Sequence, residues 1–161
     1  MLNGGQEREG LLDIQVRTLL ATALEVVDSA PAAALILSGA AAEAALLVRL
    51  REIADVNVHA GAFNTEIDNR QLDPGHFTKI PVADLGTPEA WRLIQMIQVA
   101  RIAGCIDQNT AAIADVLREW RNSVHPAVLE RDHPDGIGVP IGSAAAGAAR
   151  LLIAGLGFTV A

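Results

Sequence analysis

Residues 31 to 48 read Pro-Ala-Ala-Ala-Leu-Ile-Leu-Ser-Gly-Ala-Ala-Ala-Glu-Ala-Ala-Leu-Leu-Val. Alanine and leucine are strong helix formers, and a proline fits the first helical turn because its missing N–H has no intrahelical partner there. The stretch predicts a helix from Pro31 to about Asp55. Ala32 to Val48 is apolar almost all the way round, a property it shares with membrane spans. It is slightly short for a span, however, and carries Glu43, whose carboxylate is costly near a bilayer centre. The expectation is the buried central helix of a soluble bundle, with no membrane partner. Gly39, Ala40, Ala41 and Ala44 offer small surfaces that let neighbouring helices approach closely.

The surrounding composition agrees. With 161 residues, 51% of them apolar, the chain can build one domain with a real core. Aromatic residues make up 3% and tyrosine is absent, which disfavours a sandwich or barrel built on aromatic and β-branched residues. The predicted fold class is all-α. Upstream, residues 1 to 10 read as a flexible polar lead-in, and Leu12, Val16, Leu19, Ala23 and Val26 then form one apolar stripe of a first helix ending near Ser29.

Downstream, residues 56 to 87 hold Gly61, Pro74, Gly75, Pro81 and Gly86 without a sustained period, and read as a long loop. Thr87-Pro88-Glu89 opens a third helix that stops at Gly104. Asp107 or Asn109 caps a fourth helix running to His125, where Pro126 limits continuation. Residues 126 to 140 read as irregular, and Ser143 caps a last helix ending near residues 155–157. The predicted architecture is an up-and-down bundle of about five helices over residues 11–157. Its long loop lies between helices two and three, and its second helix is the most buried.

The formal charge of −7 excludes broad, charge-driven binding to duplex nucleic acid and leaves room only for a local basic site. The single cysteine, Cys105, forms no internal disulfide and reads as a packing residue in a reducing compartment. No basic-then-apolar leader pattern opens the sequence, so a cytoplasmic location is expected. Lys79 is the only lysine, a usage that suits a GC-rich bacterial coding sequence. His59, His76 and His133 lack ligand spacing, and Asp132, His133 and Asp135 read as a polar turn. The glycines of 136–142 and 155–157 lack the Gly-Lys-Ser/Thr ending of a phosphate loop. Neither a metal nor a cofactor is predicted.

Chemistry concentrates in Ala111 to Pro126. At about 100° per residue, Ile113, Val116, Leu117, Trp120 and Val124 share one face, and Arg118, Arg121, Asn122 and His125 share the flank beside it. Spacings of three, four and seven let these four polar side chains converge. Guanidinium, carboxamide and imidazole side by side suit an anionic ligand such as phosphate. At the helix C-terminus, exposed carbonyls favour the His125 imidazolium while the arginines oppose it. An imidazole that moves protons and an arginine that stabilises a charged transition state are the parts needed for metal-independent RNA cleavage by the 2′-hydroxyl. Spacing alone fits another reading: solvated arginines paired with Asp115 or Glu119, and His125 as a capping side chain. Glu43 is either a structural partner or an orienting one for Arg121 or His125.

The string Leu117-Arg118-Glu119-Trp120-Arg121-Asn122-Ser123-Val124-His125-Pro126 resembles the Arg-Asn…His signature of the HEPN superfamily. These are helical domains of ribonucleases, toxins, antiviral defence proteins and nucleotide-linked accessory proteins. The first helix, the Ala-Leu-rich helix with its internal acid Glu43, and a helix pair before the motif resemble that architecture as well. The resemblance implies a toxin- or defence-type endoribonuclease leaving 2′,3′-cyclic phosphate ends, with His125, Arg121, Arg118 and Asn122 as site residues. It also implies a homodimer whose motif helices meet in one composite cleft, RNA or a nucleotide as ligand, and an antitoxin or accessory protein as partner. The alternative is a non-catalytic module that binds a nucleotide, a nucleic acid or a protein. The family pattern places four to six residues between the arginine and the histidine, with a polar residue after the arginine. Arg121-Asn122 supplies the polar neighbour and leaves three residues, whereas Arg118 leaves six and is followed by Glu119. Either the spacing is a variant or two arginines divide the requirements.

Overall fold

The computed structural model describes residues 4–122 and 124–160, with residues 4–9, 11 and 12 as backbone only. Among them are seven α-helices and no strand: α1 (Gly4–Val26), α2 (Pro31–Arg51), α3 (Val56–Asp68), α4 (Leu93–Ile102), α5 (Gln108–Asn122), α6 (Pro126–Asp132) and α7 (Val139–Gly155). Short 3-10 turns occupy Val82–Asp84 and Pro88–Ala90. The chain is an all-α helical bundle, as its composition predicts.

The hub is α2, which packs against α1, α4, α5 and α7. Its Leu35, Leu46 and Leu50 are fully buried, and each such leucine stabilises the fold by roughly 1.5–3 kcal/mol relative to exposure. This is the one helix among the described residues that is long and apolar enough to cross a membrane, and half of its apolar stretch is buried inside the protein. Ser38, also fully buried, donates to the Ala34 carbonyl at 2.7 Å, so its hydroxyl is satisfied within the helix. α7 crosses the start of α2 closely: a Cβ on Gly142 would lie 2.9 Å from the Pro31 carbonyl oxygen. One hydrophobic cluster runs from Val16 to Phe158.

Several boundaries differ from the sequence expectations. α1 is helical from Gly4, well inside the stretch assigned to a flexible lead-in, because Gln6, Glu7, Arg8 and Glu9 are good helix formers and acids suit a helix start. Val16, Leu20 and Ala23 carry its buried stripe, while Leu12 lies outside the described side chains. The segment 56–87 is not loop throughout. Ala60, Phe63 and Ile67, spaced three and four, form the buried edge of α3 against α4, a period that Gly61 interrupts to the eye.

α4 begins at Leu93 rather than Pro88, since Pro88–Ala90 closes into a 3-10 turn and Trp91 and Arg92 are extended. Per residue it is more enclosed than α2, with every residue from Leu93 to Ala100 buried, whereas Ile36 on α2 is half exposed. Gly104, at φ 78°, ends it as expected. Pro126 opens α6 as well as limiting the helix before it, and α7 starts four residues ahead of Ser143, with Pro140 in its first turn. The five expected helices thus become seven.

The connection from α3 to α4 is held at defined points. Asn64 brackets Ile80, donating to its carbonyl and accepting from its N–H, both at 2.8 Å. Buried Gln95 donates to the Thr78 carbonyl at 2.9 Å and accepts the Arg92 N–H at 2.7 Å. The Trp91 indole N–H donates to the Asp84 carbonyl at 2.6 Å. These bonds lay residues 76–80 beside α5, which matters for the site.

Candidate anion cleft

α5 is set by its cap and by its small residues. Asp107 accepts the Thr110 N–H at 2.7 Å, a cap on the third helical position, and this bond holds the Asp107 carboxyl below the usual carboxylate range. Ala111, Ala114 and Leu117 form the buried face. The larger Ile113 and Val116, expected to face the core, are instead exposed, because two alanines let α5 lie close against its neighbours α4 and α7. Spacing of three, three and four then carries the buried stripe from Ala111 through Ala114 and Leu117 directly to Arg121. The arginine therefore continues the buried stripe at the edge of the bundle, where it stays partly exposed.

A cleft of about 900 Å³ opens there, between the middle of α2, the start of α4, the end of α5 and the start of α6. Arg118, Arg121, Asn122 and His125 all line it, together with Glu43. The five residues singled out by sequence are brought to one place. Arg121 donates from Nη1 to Glu43 Oε2 at 2.6 Å, which assigns Glu43 to Arg121 rather than to His125. Gly39 makes the room: a Cβ there would sit 2.7 Å from Arg121 Cδ. The small residue on α2 thus accommodates a side chain of the cleft instead of a neighbouring helix backbone.

His125 is not the last residue of the motif helix. α5 ends at Asn122, Ser123 lies outside the described residues, and His125 is the N-cap of α6, with its own N–H bonded to the Asn122 carbonyl at 3.2 Å. His125 therefore lines the cleft from the turn that opens α6, not from the C-terminal turn of α5. Pro126 causes this, because the residue before a proline is pushed out of the helical region.

Sequence reasoning missed His76, Thr78 and Arg92, which also line the cleft. Arg92 fell inside an expected helix instead of just before one. His76 lies in the segment without a period, and no spacing signal could have joined it to α5. Its Nε2 is 3.3 Å from Asp115 Oδ2 and 3.4 Å from Arg118 Nη2. His76, Asp115 and Glu119 form a group with metal-ligand chemistry. The cation among them is Arg118 itself, whose guanidinium lies 3.3 Å from Asp115 Oδ1 and 3.9 Å from Glu119 Oε1. Asp115 Oδ1 and Arg118 Nε are both buried and make no hydrogen bond, so that contact is one of charge without good alignment.

Three guanidinium groups and one carboxylate line the cleft, and two further carboxylates, Asp115 and Glu119, stand beside Arg118. Arg121 is matched by Glu43 and Arg118 by Asp115, while no ion pair engages Arg92 among the described residues. Elsewhere, burial pushes the Cys105 thiol up, which suits a packing residue and not a nucleophile. Comparison of the chain with protein-family models, with curated proteins and with solved structures finds no match.

Proposed function

We propose that the protein is a HEPN-like, metal-independent endoribonuclease of the toxin or defence type, acting in the cytoplasm on RNA held in this cleft. What supports the reading is the convergence of Arg118, Arg121, Asn122 and His125 with Arg92 in one arginine-lined cleft. Arg121 and Arg118 hold the scissile phosphate, Asn122 orients one of them, and Glu43 fixes the approach of Arg121. His125 moves a proton at the 2′-hydroxyl or at the leaving 5′-oxygen. A homodimer through α5 belongs to this reading, and so does an antitoxin or accessory protein that restrains the activity.

A second reading, a non-catalytic module that binds a nucleotide, a nucleic acid or a protein, is favoured by one observation. Both motif arginines already meet carboxylates. The deciding experiment incubates purified protein with unstructured RNA in EDTA and analyses the ends. Cleavage with 2′,3′-cyclic phosphate and 5′-hydroxyl termini supports the ribonuclease. RNA bound but left intact supports the module.

A further inference from the structure

We propose that His76 is a second proton-transfer residue of the cleft, the general acid at the leaving 5′-oxygen, while His125 takes the proton of the attacking 2′-hydroxyl; the proposal rests on the ribonuclease reading. Transfer of a phosphodiester to its own 2′-oxygen moves two protons, one off the nucleophile and one onto the leaving group, and two positioned imidazoles can do both. The cleft holds two, from distant parts of the chain.

His76 has the setting of a positioned group. The connection that carries it is tied down at Thr78 by Gln95 and at Ile80 by Asn64. Its ring stands edge-on to Phe77, with centroids 4.7 Å apart. Asp115 Oδ2 faces Nε2 at 3.3 Å. Arg118 Nη2 faces the same nitrogen at 3.4 Å, so Nε2 is engaged by α5, and in this proposal Nδ1 is the nitrogen that exchanges a proton with the substrate. A base oriented by a carboxylate recurs in hydrolytic sites of unrelated fold.

The charged groups around His76 are Asp115, Glu119 and Arg118 of α5. Across the cleft lie Arg92 before α4, Arg121 of α5, Glu43 of α2 and His125 before α6. Among the described residues, His76 has a carboxylate beside its ring and His125 has none. A carboxylate acceptor beside the ring suits the proton donor of the pair, and the proposal therefore takes His76 as the acid and His125 as the base. Asp115 is then a positioning residue.

The step balances within the RNA and the two rings. The 2′-oxygen bonds to phosphorus as its proton passes to His125. The bond from phosphorus to O5′ breaks, and its electron pair stays on O5′, which takes a proton from His76. A 2′,3′-cyclic phosphate and a 5′-hydroxyl leave, and solvent exchange restores both rings.

The test compares a ribodinucleotide with its analogue carrying sulfur at the 5′-bridging position, because a thiolate leaves without being protonated. His76→Ala is expected to slow cleavage of the ordinary dinucleotide by about 10²–10⁴-fold, to abolish the high-pH limb of its rate profile, and to cleave the sulfur analogue within several-fold of the parent. Asp115→Asn should show a weaker form of the same pattern, and His125→Ala should be slow on both substrates. His76→Gln, which keeps a polar side chain in the loop, should behave as His76→Ala, with helicity checked by circular dichroism. Parent-like rates on the ordinary dinucleotide, or equal losses on both substrates, would overturn the role of His76 and leave the ribonuclease standing. A parent protein that cleaves neither substrate overturns the ribonuclease itself, and this proposal with it.

Discussion

Arg121 and Glu43, 78 residues apart, meet at 2.6 Å beside Gly39, where a Cβ would sit 2.7 Å from Arg121 Cδ. Both partners are more than a third exposed, so the pair adds little to stability, about 0–1 kcal/mol. Its effect lies in where it holds a guanidinium. Gly39→Ala should leave the melting temperature nearly unchanged, because the Arg121 side chain can shift. It should weaken RNA cleavage by on the order of 10²-fold, the scale of a misplacement of about 1 Å. Glu43→Gln should bind phosphate-bearing ligands more tightly, since one opposing charge is gone, while turning them over more slowly. Calorimetric titration together with single-turnover rates separates the two effects, and unchanged binding in Glu43→Gln would deny the pair any influence on the cleft.

Gln95 is the next test of placement. Its amide satisfies both the Thr78 carbonyl and the Arg92 N–H from a buried position. Gln95→Leu leaves both without that partner and should cost about 1–3 kcal/mol. Hydrogen exchange should rise at residues 76–80 more than in α2. Protection lost evenly over the chain would mean that the glutamine supports the core and not the connection.

How much of this was legible in the sequence can be argued residue by residue. Leu35, Leu46 and Leu50 lie in an Ala-Leu stretch with almost no polar side, so α2 and its central position follow directly. The motif residues were found because helical spacing is local, and Glu43 because a carboxylate in an apolar helix asks for a partner. Ile113 and Val116 are larger than the alanines at 111 and 114, yet it is the alanines that decide which face can approach another helix. Pro126 both ends α5's reach and opens α6, so sequence alone does not place His125 at an N-cap. His76 was beyond reach: its relation to Asp115 spans 39 residues and depends on side-chain bonds to Ile80 and Thr78 that no periodicity announces.

The cap of α5 predicts a pH dependence. Asp107 has its carboxyl held low by the Thr110 N–H, so the ionised form is favoured in the folded chain. Its contribution is present above the ordinary aspartate range, about pH 4, and is lost as pH falls through the lowered folded value. Asp107→Ala should lower the melting temperature at pH 7 by about 2–4 °C. The gap between parent and variant should close as the solution is acidified below pH 4. A gap that persists at pH 2 would assign it to backbone propensity and not to the charged cap.

The exposed face of α5 bears on assembly. Ile113, Val116 and Trp120, with Ala144, Ala148 and Leu151 of α7, line an apolar groove of about 380 Å³. Val116 is 40% exposed and Leu151 58%, which is costly to leave in water for a helix that already buries its alanine face. A second copy packed here would cover it, on the face of α5 turned away from Arg118 and Arg121. Light scattering at micromolar concentration should give twice the monomer mass of 16.9 kDa, and Val116→Asp or Leu151→Asp should return the monomer with helicity intact. A monomeric parent would remove the composite cleft from the proposed function.

The two motif arginines differ in their surroundings, and the difference predicts which one the chemistry uses. Arg118 is enclosed by Asp115, His76 and Glu119, with its Nε buried and unaligned. Arg121 is held by one carboxylate and extends the buried stripe of α5 into the cleft. Arg121→Ala should therefore lose most of the transition-state stabilisation, about 10²–10³-fold in rate, with a smaller change in RNA affinity. Arg118→Ala removes the cation beside His76 and Asp115 and should lower the rate by a smaller factor than Arg121→Ala. His125→Ala should lose about 10²-fold or more at every pH. All three variants should keep their helicity, since these side chains edge the core and do not fill it. If Arg118→Ala and Arg121→Ala lose the same factor in rate, the two arginines share one role, and the division of the motif between them is wrong.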